Sequence, residues 1–160
     1  MYSIYKMKIF VFDVDNTLIL HTNQNIDFYK KGNSKISKLI LNTNVDAVYI
    51  YTNGTFSHGK QITESLSIPK TKGVFGRDTI PYMKPSTRSF KFVNNEIIKD
   101  YNKNNEIYFF DDMIENLITA NRIGWKTVWI SSNFINKQNF IDYAFPNIYE
   151  ALIYFTKQKL

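Results

Sequence analysis

The stretch Phe10-Val11-Phe12-Asp13-Val14-Asp15-Asn16-Thr17-Leu18 decides the fold. An apolar run from Ile9 to Phe12 meets two carboxylates, Asp13 and Asp15, two residues apart. The run is short, β-branched and aromatic, the pattern of a buried strand. Open α/β sheets place their ligand sites at the carboxyl ends of such strands. Continued strand alternation, or a turn, would face both carboxylates into one pocket. Two unpaired carboxylates at close range repel one another. A hard cation such as Mg²⁺ relieves that cost, because it takes a few carboxylate oxygens together with water and phosphate. Asp-x-Asp alone is also common as a turn or cap at a strand end.

Outward from this stretch the same pattern returns. Ala47 to Tyr51 is a second apolar strand, ending in Thr52-Asn53-Gly54 and turning into a helix over 57–66. Ile107 to Phe110 is a third, ending in Asp111-Asp112 and followed by a helix over 114–123 that Gly124 closes. Lys126 to Ser131 is a fourth. Between them lie a short helix at 37–41, a short strand at Val74-Phe75 flanked by loops at 69–73 and 81–85, and a helix over 87–99. That last helix has Ser86 as its cap and Phe90, Val93 and Ile97 on one face. A final amphipathic helix covers 148–157, and the polar, Asn-rich stretch at about 18–35 reads as a small flap or insert. Strands alternating with helices predict a three-layer, Rossmann-like α/β fold with a mostly parallel sheet. In such a sheet Asp13/Asp15, Thr52/Asn53 and Asp111/Asp112 share one edge, and convergence of three polar strand ends predicts a site.

Each piece has a use in phosphoryl transfer, where catalysis is mostly positioning and charge stabilisation. The Thr52 hydroxyl, the Asn53 amide and the N–H groups of a helix start suit a phosphate, and the same residues would also serve as an ordinary helix cap. Lys84 lies in Met83-Lys84-Pro85-Ser86, where Pro85 holds it out of helical geometry in a loop before a helix.

Asp13-x-Asp15-x-Thr17 resembles the first motif of the haloacid dehalogenase-like phosphatases. Tyr51-Thr52-Asn53-Gly54, running on through His58 to Ile68, resembles their second motif, Lys84-Pro85 before a helix the third, and Tyr108 to Asp112 with Asn116, Ala120, Gly124 and Trp125 the fourth. The resemblance covers Ile9 to Trp129. It implies an aspartyl-phosphate on Asp13, general acid–base work by Asp15, and phosphate binding by Thr52, Asn53 and Lys84. It also implies Mg²⁺ held by Asp13, the backbone carbonyl of Asp15, and Asp112 with help from Asp111. Aligned on the family's Gly-Asp-Ser-x-x-Asp form, Asp112 becomes the direct ligand and Asn116 takes the place of the later acid. A receiver domain of two-component signalling uses the same residue types, but there the paired acids precede the Lys, whereas Asp111-Asp112 follow Lys84.

Within the superfamily the chain looks most similar to the pyrimidine 5′-nucleotidase-like branch, through Thr52-Asn53 with His58 and through Asp111-Asp112-x-x-x-Asn116. His58 itself reads as a helix-start or packing residue. That branch carries a helical cap between its first two motifs. Here the connection is too short for one, so the cap is minimal or absent. The expected activity is a Mg²⁺-dependent phosphatase acting on a phosphate monoester, with a nucleotide as one candidate substrate. The alternatives are a phosphatase acting on a nucleic-acid end or phosphoprotein, and a non-catalytic module that only holds phosphate or metal. A second subunit serving as lid leaves a homo-oligomer open.

Composition agrees with a folded domain. The 160 residues are 44% hydrophobic and 16% aromatic, enough for one core. The absence of cysteine removes disulfides and thiolate chemistry. No apolar run is long enough to span a membrane and Met1 to Lys8 is no signal peptide, so an intracellular, cytoplasmic protein is expected. The net charge of +6 comes mostly from scattered lysines and forms no basic cluster, so nucleic acid stays a possible partner without a stripe to mark it. Lys, Asn and Ile are abundant and Arg scarce, as an AT-rich coding sequence gives. Phe28, Tyr29, Phe134 and Phe140 are candidates for core, subunit interface or substrate platform, with core the default for most aromatic residues.

Overall fold

Ile9 and Val11 pack in one apolar core and Phe10 and Phe12 in another, all four fully buried. Period-2 alternation puts neighbouring side chains on opposite faces, so this strand is covered on both sides. It is β1 (Met7–Phe12) in a computed structural model that describes residues 5–21, 34–101 and 104–158. The further elements are α1 (Ser34–Asn42), β2 (Ala47–Tyr51), α2 (Phe56–Ser65), β3 (Thr71–Phe75), α3 (Thr87–Tyr101), β4 (Asn105–Asp111), α4 (Ile114–Arg122), β5 (Lys126–Ile130), β6 (Tyr143–Phe145) and α5 (Ile148–Lys157).

The six strands form one sheet in the order β3-β2-β1-β4-β5-β6, and every pairing is parallel. Residues of α1, α2 and α5 share the core that holds Phe10 and Phe12. Residues of α3 and α4 share the one that holds Ile9 and Val11. The result is the expected three-layer α/β architecture. Aromatic rings fill the first core across adjacent strands: Phe12 lies 4.6 Å from Phe110, and Phe110 lies 5.7 Å from Phe155 of α5, centroid to centroid.

The chain runs from β1 outward to β3, then returns to lay β4 on the other side of β1. Strand order therefore reverses between β1 and β4, which opens a crevice at their carboxyl ends. The pairing Phe12↔Phe110 sets Asp13 level with Asp111 across that crevice.

Two expectations are corrected. The stretch 69–73 is not all loop, since Thr71, Lys72 and Gly73 belong to β3. β3 is an edge strand, and an edge tolerates Lys and Gly that a central strand would not. The three-residue β6 gave no periodic signal and was not expected. Gly124 closes α4 with φ of +90°, the conformation for which Gly is suited. The flap expected at about 18–35 falls mostly on 22–33, outside the described residues, as do Phe28 and Tyr29. Phe140 packs at the edge of the second core, and Phe134 is half-buried. Among the described residues no helix is long and apolar enough to cross a membrane.

Candidate active site

The site begins with Lys84. Its ammonium is buried and donates to Asp13 Oδ1, Asp111 Oδ2 and the Tyr51 carbonyl, each at 2.9 Å. Its three protons are thereby engaged. The ammonium also lies 5.0 Å from the Tyr51 ring centroid and 5.4 Å from that of Phe109. Asn53 holds the lysine's backbone at both ends: Asn53 Nδ2 donates to the Lys84 carbonyl and the Lys84 N–H donates to Asn53 Oδ1, both at 2.9 Å. The Thr119 hydroxyl of α4 donates to the Pro85 carbonyl at 2.8 Å. The turn at Lys84-Pro85, closed by the Ser86 N–H donating to the Met83 carbonyl at 3.0 Å, is thus pinned by Asn53 just after β2 and by α4. The expected phosphate ligand Asn53 commits its side chain to this pinning.

Asp13 follows β1, its N–H donating to the Phe110 carbonyl at 2.9 Å. Its second oxygen, Oδ2, accepts from the Thr17 hydroxyl at 3.0 Å. Thr17 also lies within bonding range of Asp112 Oδ1, at 3.3 Å. Thr17 is brought back to this position by a tight turn in which the N–H groups of Thr17, Leu18 and Ile19 converge on the Val14 carbonyl. Asn16 in that turn has φ of +59°, a left-handed conformation that Asn tolerates.

Asp111 and Asp112 have different surroundings. Asp111 is fully buried, and beyond Lys84 it accepts from the Asn116 amide at 3.0 Å and the Met113 N–H at 2.8 Å. Asp112 is half-buried, and its carbonyl accepts from Trp129 Nε1 at 3.0 Å. Ligand oxygens of Asp13, Asp111 and Asp112 lie within 4.8 Å of one another, the cluster among the described residues that can hold a metal. Of these three carboxylates the Lys84 ammonium pairs with Asp13 and Asp111. Burial pushes the Asp111 carboxyl up, with Lys84 opposing and Asp13 adding to the shift. Burial, then repulsion from Asp111 and Asp13, pushes Asp112 up to about 7. For Lys84, burial works against the charge, and the attraction of Asp111 and Asp13 outweighs it and raises the ammonium. Hard oxygen donors with excess negative charge fit a divalent hard cation. Asp111 is engaged by Lys84, Asn116 and Met113, and Asp13 by Lys84 and Thr17, while Asp112 is the most exposed of the three.

Thr52 is buried at the end of β2. Its Oγ1 accepts from the Gly54 N–H at 2.9 Å, which leaves the hydroxyl proton to donate. Asp15 lies outside the three-carboxylate cluster. Its Oδ1 takes His21 Nε2 at 2.6 Å and His58 Nε2 at 3.1 Å. Burial tends to raise the Asp15 carboxyl, and the two imidazoles more than offset it and lower it.

Four side chains at the site were not assigned a role from sequence. Thr17 was visible as the last letter of Asp-x-Asp-x-Thr. Asn116 was seen only as a substitute for an acid. His21 carried no signal, and His58, read as a helix-start or packing residue, lies in the first turn of α2 and also contacts Asp15.

No family model matches the chain, and no curated protein matches it. Solved structures do. Over 94% of this chain and 99% of the other, it superposes on the HAD-hydrolase YfnB from Bacillus subtilis bound to magnesium, with TM-score 0.62 and 17% identity. A dehalogenase matches with TM-score 0.59 and 16% identity over 76% of this chain and 54% of its own. The haloacid dehalogenase-like hydrolase SP0104 from Streptococcus pneumoniae matches with TM-score 0.53 and 18% identity over 84% and 59%. The chain thus spans little more than half the length of the dehalogenase and of SP0104. The fold is the haloacid dehalogenase-like one.

Proposed function

We propose that this protein is a Mg²⁺-dependent phosphatase that hydrolyses a phosphate monoester through an aspartyl-phosphate on Asp13. The observation that carries the reading is the Lys84 ammonium 2.9 Å from Asp13, inside a three-carboxylate cluster at the β1–β4 crevice. Asp13 attacks phosphorus as the ester P–O bond breaks, and the departing oxygen takes a proton from Asp15. Water then attacks the phosphorus of the aspartyl-phosphate and gives its proton to Asp15. Inorganic phosphate leaves and Asp13 is restored. Thr52 donates its hydroxyl to a phosphoryl oxygen. Lys84 orients Asp13 and places a positive charge beside the phosphoryl group, and Asn53 acts by holding Lys84. Asp13, Asp112 and the Asp15 carbonyl would hold Mg²⁺, with Asp111 behind them. Bound there, Mg²⁺ supplies positive charge that offsets the anionic phosphoryl group.

A dehalogenase shares the fold, but a halide leaves as a stable anion and needs no proton. A second carboxyl, at position 15, gives an alkoxide leaving group the proton-exchanging partner that a halide does not need. The short β1–β2 connection favours a second substrate class, phosphate on a nucleic-acid end or phosphoprotein, because it has too few residues for a helical cap of the size that would exclude a large molecule. The test is phosphate release from nucleoside monophosphates, sugar phosphates, phosphopeptides and phosphorylated oligonucleotides, with a 2-haloacid alongside, in Mg²⁺ and in EDTA. Metal-dependent release that Asp13→Asn abolishes is expected, and the preferred ester names the substrate class. Halide release without phosphate release would replace the reading by dehalogenation. No turnover from folded protein that binds Mg²⁺ would replace it by a binding module.

A further inference from the structure

We infer that His21 and His58 together are the positioning residues for Asp15, holding the carboxyl that exchanges protons with the leaving group and the water. The inference rests on the phosphatase reading for the role of Asp15, while the clamp itself stands on geometry. The chain has only two histidines, and both reach the same oxygen of the same carboxylate. They come from different elements. His21 follows the turn after β1, and its backbone N–H donates to Asn16 Oδ1 at 3.3 Å. His58 is in the first turn of α2, where its N–H donates to the Thr55 hydroxyl oxygen at 3.2 Å.

The seat of His58 is built. A side chain at Gly54 would bring its Cβ to 3.0 Å from His58 Cδ2 and 3.2 Å from Thr52 Oγ1. Gly54 therefore leaves the space that the imidazole needs beside the phosphate-binding Thr52. The Asp15 carboxylate accepts, so each ring donates from Nε2. Both bonds fall on Oδ1, which stops the carboxyl from rotating and presents Oδ2 for proton exchange. Asp15 is itself over a third exposed, and among the described residues it has no buried partner of the kind that fixes Asp13. An unrestrained carboxyl on a turn would sample several rotamers, and misplacement of a reacting group by an ångström is costly.

The experiment compares two esters. A p-nitrophenolate leaves without protonation, whereas the alkoxide of glycerol phosphate needs a proton. For the double variant His21→Ala/His58→Ala, kcat on glycerol phosphate is expected to fall about tenfold to a hundredfold, with KM within about twofold. The loss on p-nitrophenyl phosphate is expected to be clearly smaller. His21→Gln and His58→Gln keep a donor near the Nε2 position and should recover most of the difference. Equal losses on both esters, or Gln no better than Ala, would overturn the assignment.

Imidazole ¹⁵N spectra test the clamp without any turnover. Two histidines give two sets of ring nitrogens, and Asp15→Asn should shift the Nε2 signal of both. Unchanged signals would overturn the clamp even in an active phosphatase. Shifted signals in a protein without phosphatase activity would uphold the clamp and reject only the reaction.

Discussion

At the scale of single residues, the site is held by an imbalance of charge. Lys84 meets Asp13 and Asp111 in a buried setting, its side chain 1% exposed and that of Asp111 0%. Lys84→Met would leave two buried carboxylates without their cation. A loss of about 3–5 kcal/mol in urea unfolding is expected, together with loss of phosphate release. One ammonium cannot satisfy three carboxylates, and the excess shows in Asp112, whose carboxyl is raised from an ordinary 3.8 to about 7. A carboxyl raised in the folded state binds its proton more tightly there than in the unfolded chain. Stability of the metal-free protein therefore falls as pH rises from about 4 to about 7 and levels off above. Asp15 acts in the opposite direction and in a lower window. Its carboxyl is lowered, so its contribution is present above about pH 4 and lost on further acidification. Tm measured against pH in EDTA should fall across the upper window, and Asp112→Asn should flatten that fall.

At the scale of elements, the backbone path around the site leaves no slack where β3 hands over to the loop before Lys84. An added Cβ at Gly76 would lie 2.2 Å from the Phe56 N atom, which is backbone at the start of α2 and cannot yield as a side chain can. The same Phe56 N–H donates to Asp78 Oδ1 at 2.7 Å, so the two segments are tied as well as close. Gly76→Ala is expected to cost about 1–3 kcal/mol and to disturb α2, which carries His58. At Gly124 a Cβ would meet nothing within 4 Å, and only the φ of +90° opposes a side chain. Gly124→Ala should cost about 1–2 kcal/mol from backbone strain alone and leave activity intact. Thermal unfolding and phosphate release of the two variants check both statements.

The long apolar strands β1, β2 and β4 were legible because buried parallel strands read as continuous apolar runs. The polar residues that end them were legible for the same reason, since each stands where an apolar run stops. The edge strand β3, with Lys72 and Gly73, was partly hidden, and the three residues of β6 were hidden altogether. The partners of Asp15 were illegible for a different reason. His21 lies on the loop after β1 and His58 on α2, and only the folding of two separate connections over one edge brings them together.

At the scale of the molecule, strand order places the site. The reversal between β1 and β4 puts Asp13 beside Asp111 and Asp112, and β2 adds Thr52 from the neighbouring strand. A cation bound there attaches to the folded chain alone, so it stabilises by mass action. At about a hundred times its Kd the gain is about 2.7 kcal/mol, which for a domain of this size raises Tm by about 5–10 °C. Asp112→Asn should remove that rise, and differential scanning in Mg²⁺ and in EDTA checks it.

The central claim is that Asp13 carries the phosphoryl group. Its most direct test is peptide mass spectrometry of protein mixed with p-nitrophenyl phosphate and Mg²⁺ and quenched in acid within the first turnover. The account predicts one added phosphoryl group on the peptide that contains Asp13, and none in the Asp13→Asn variant. Release of phosphate with no such adduct, and at an undiminished rate in Asp13→Asn, would contradict it.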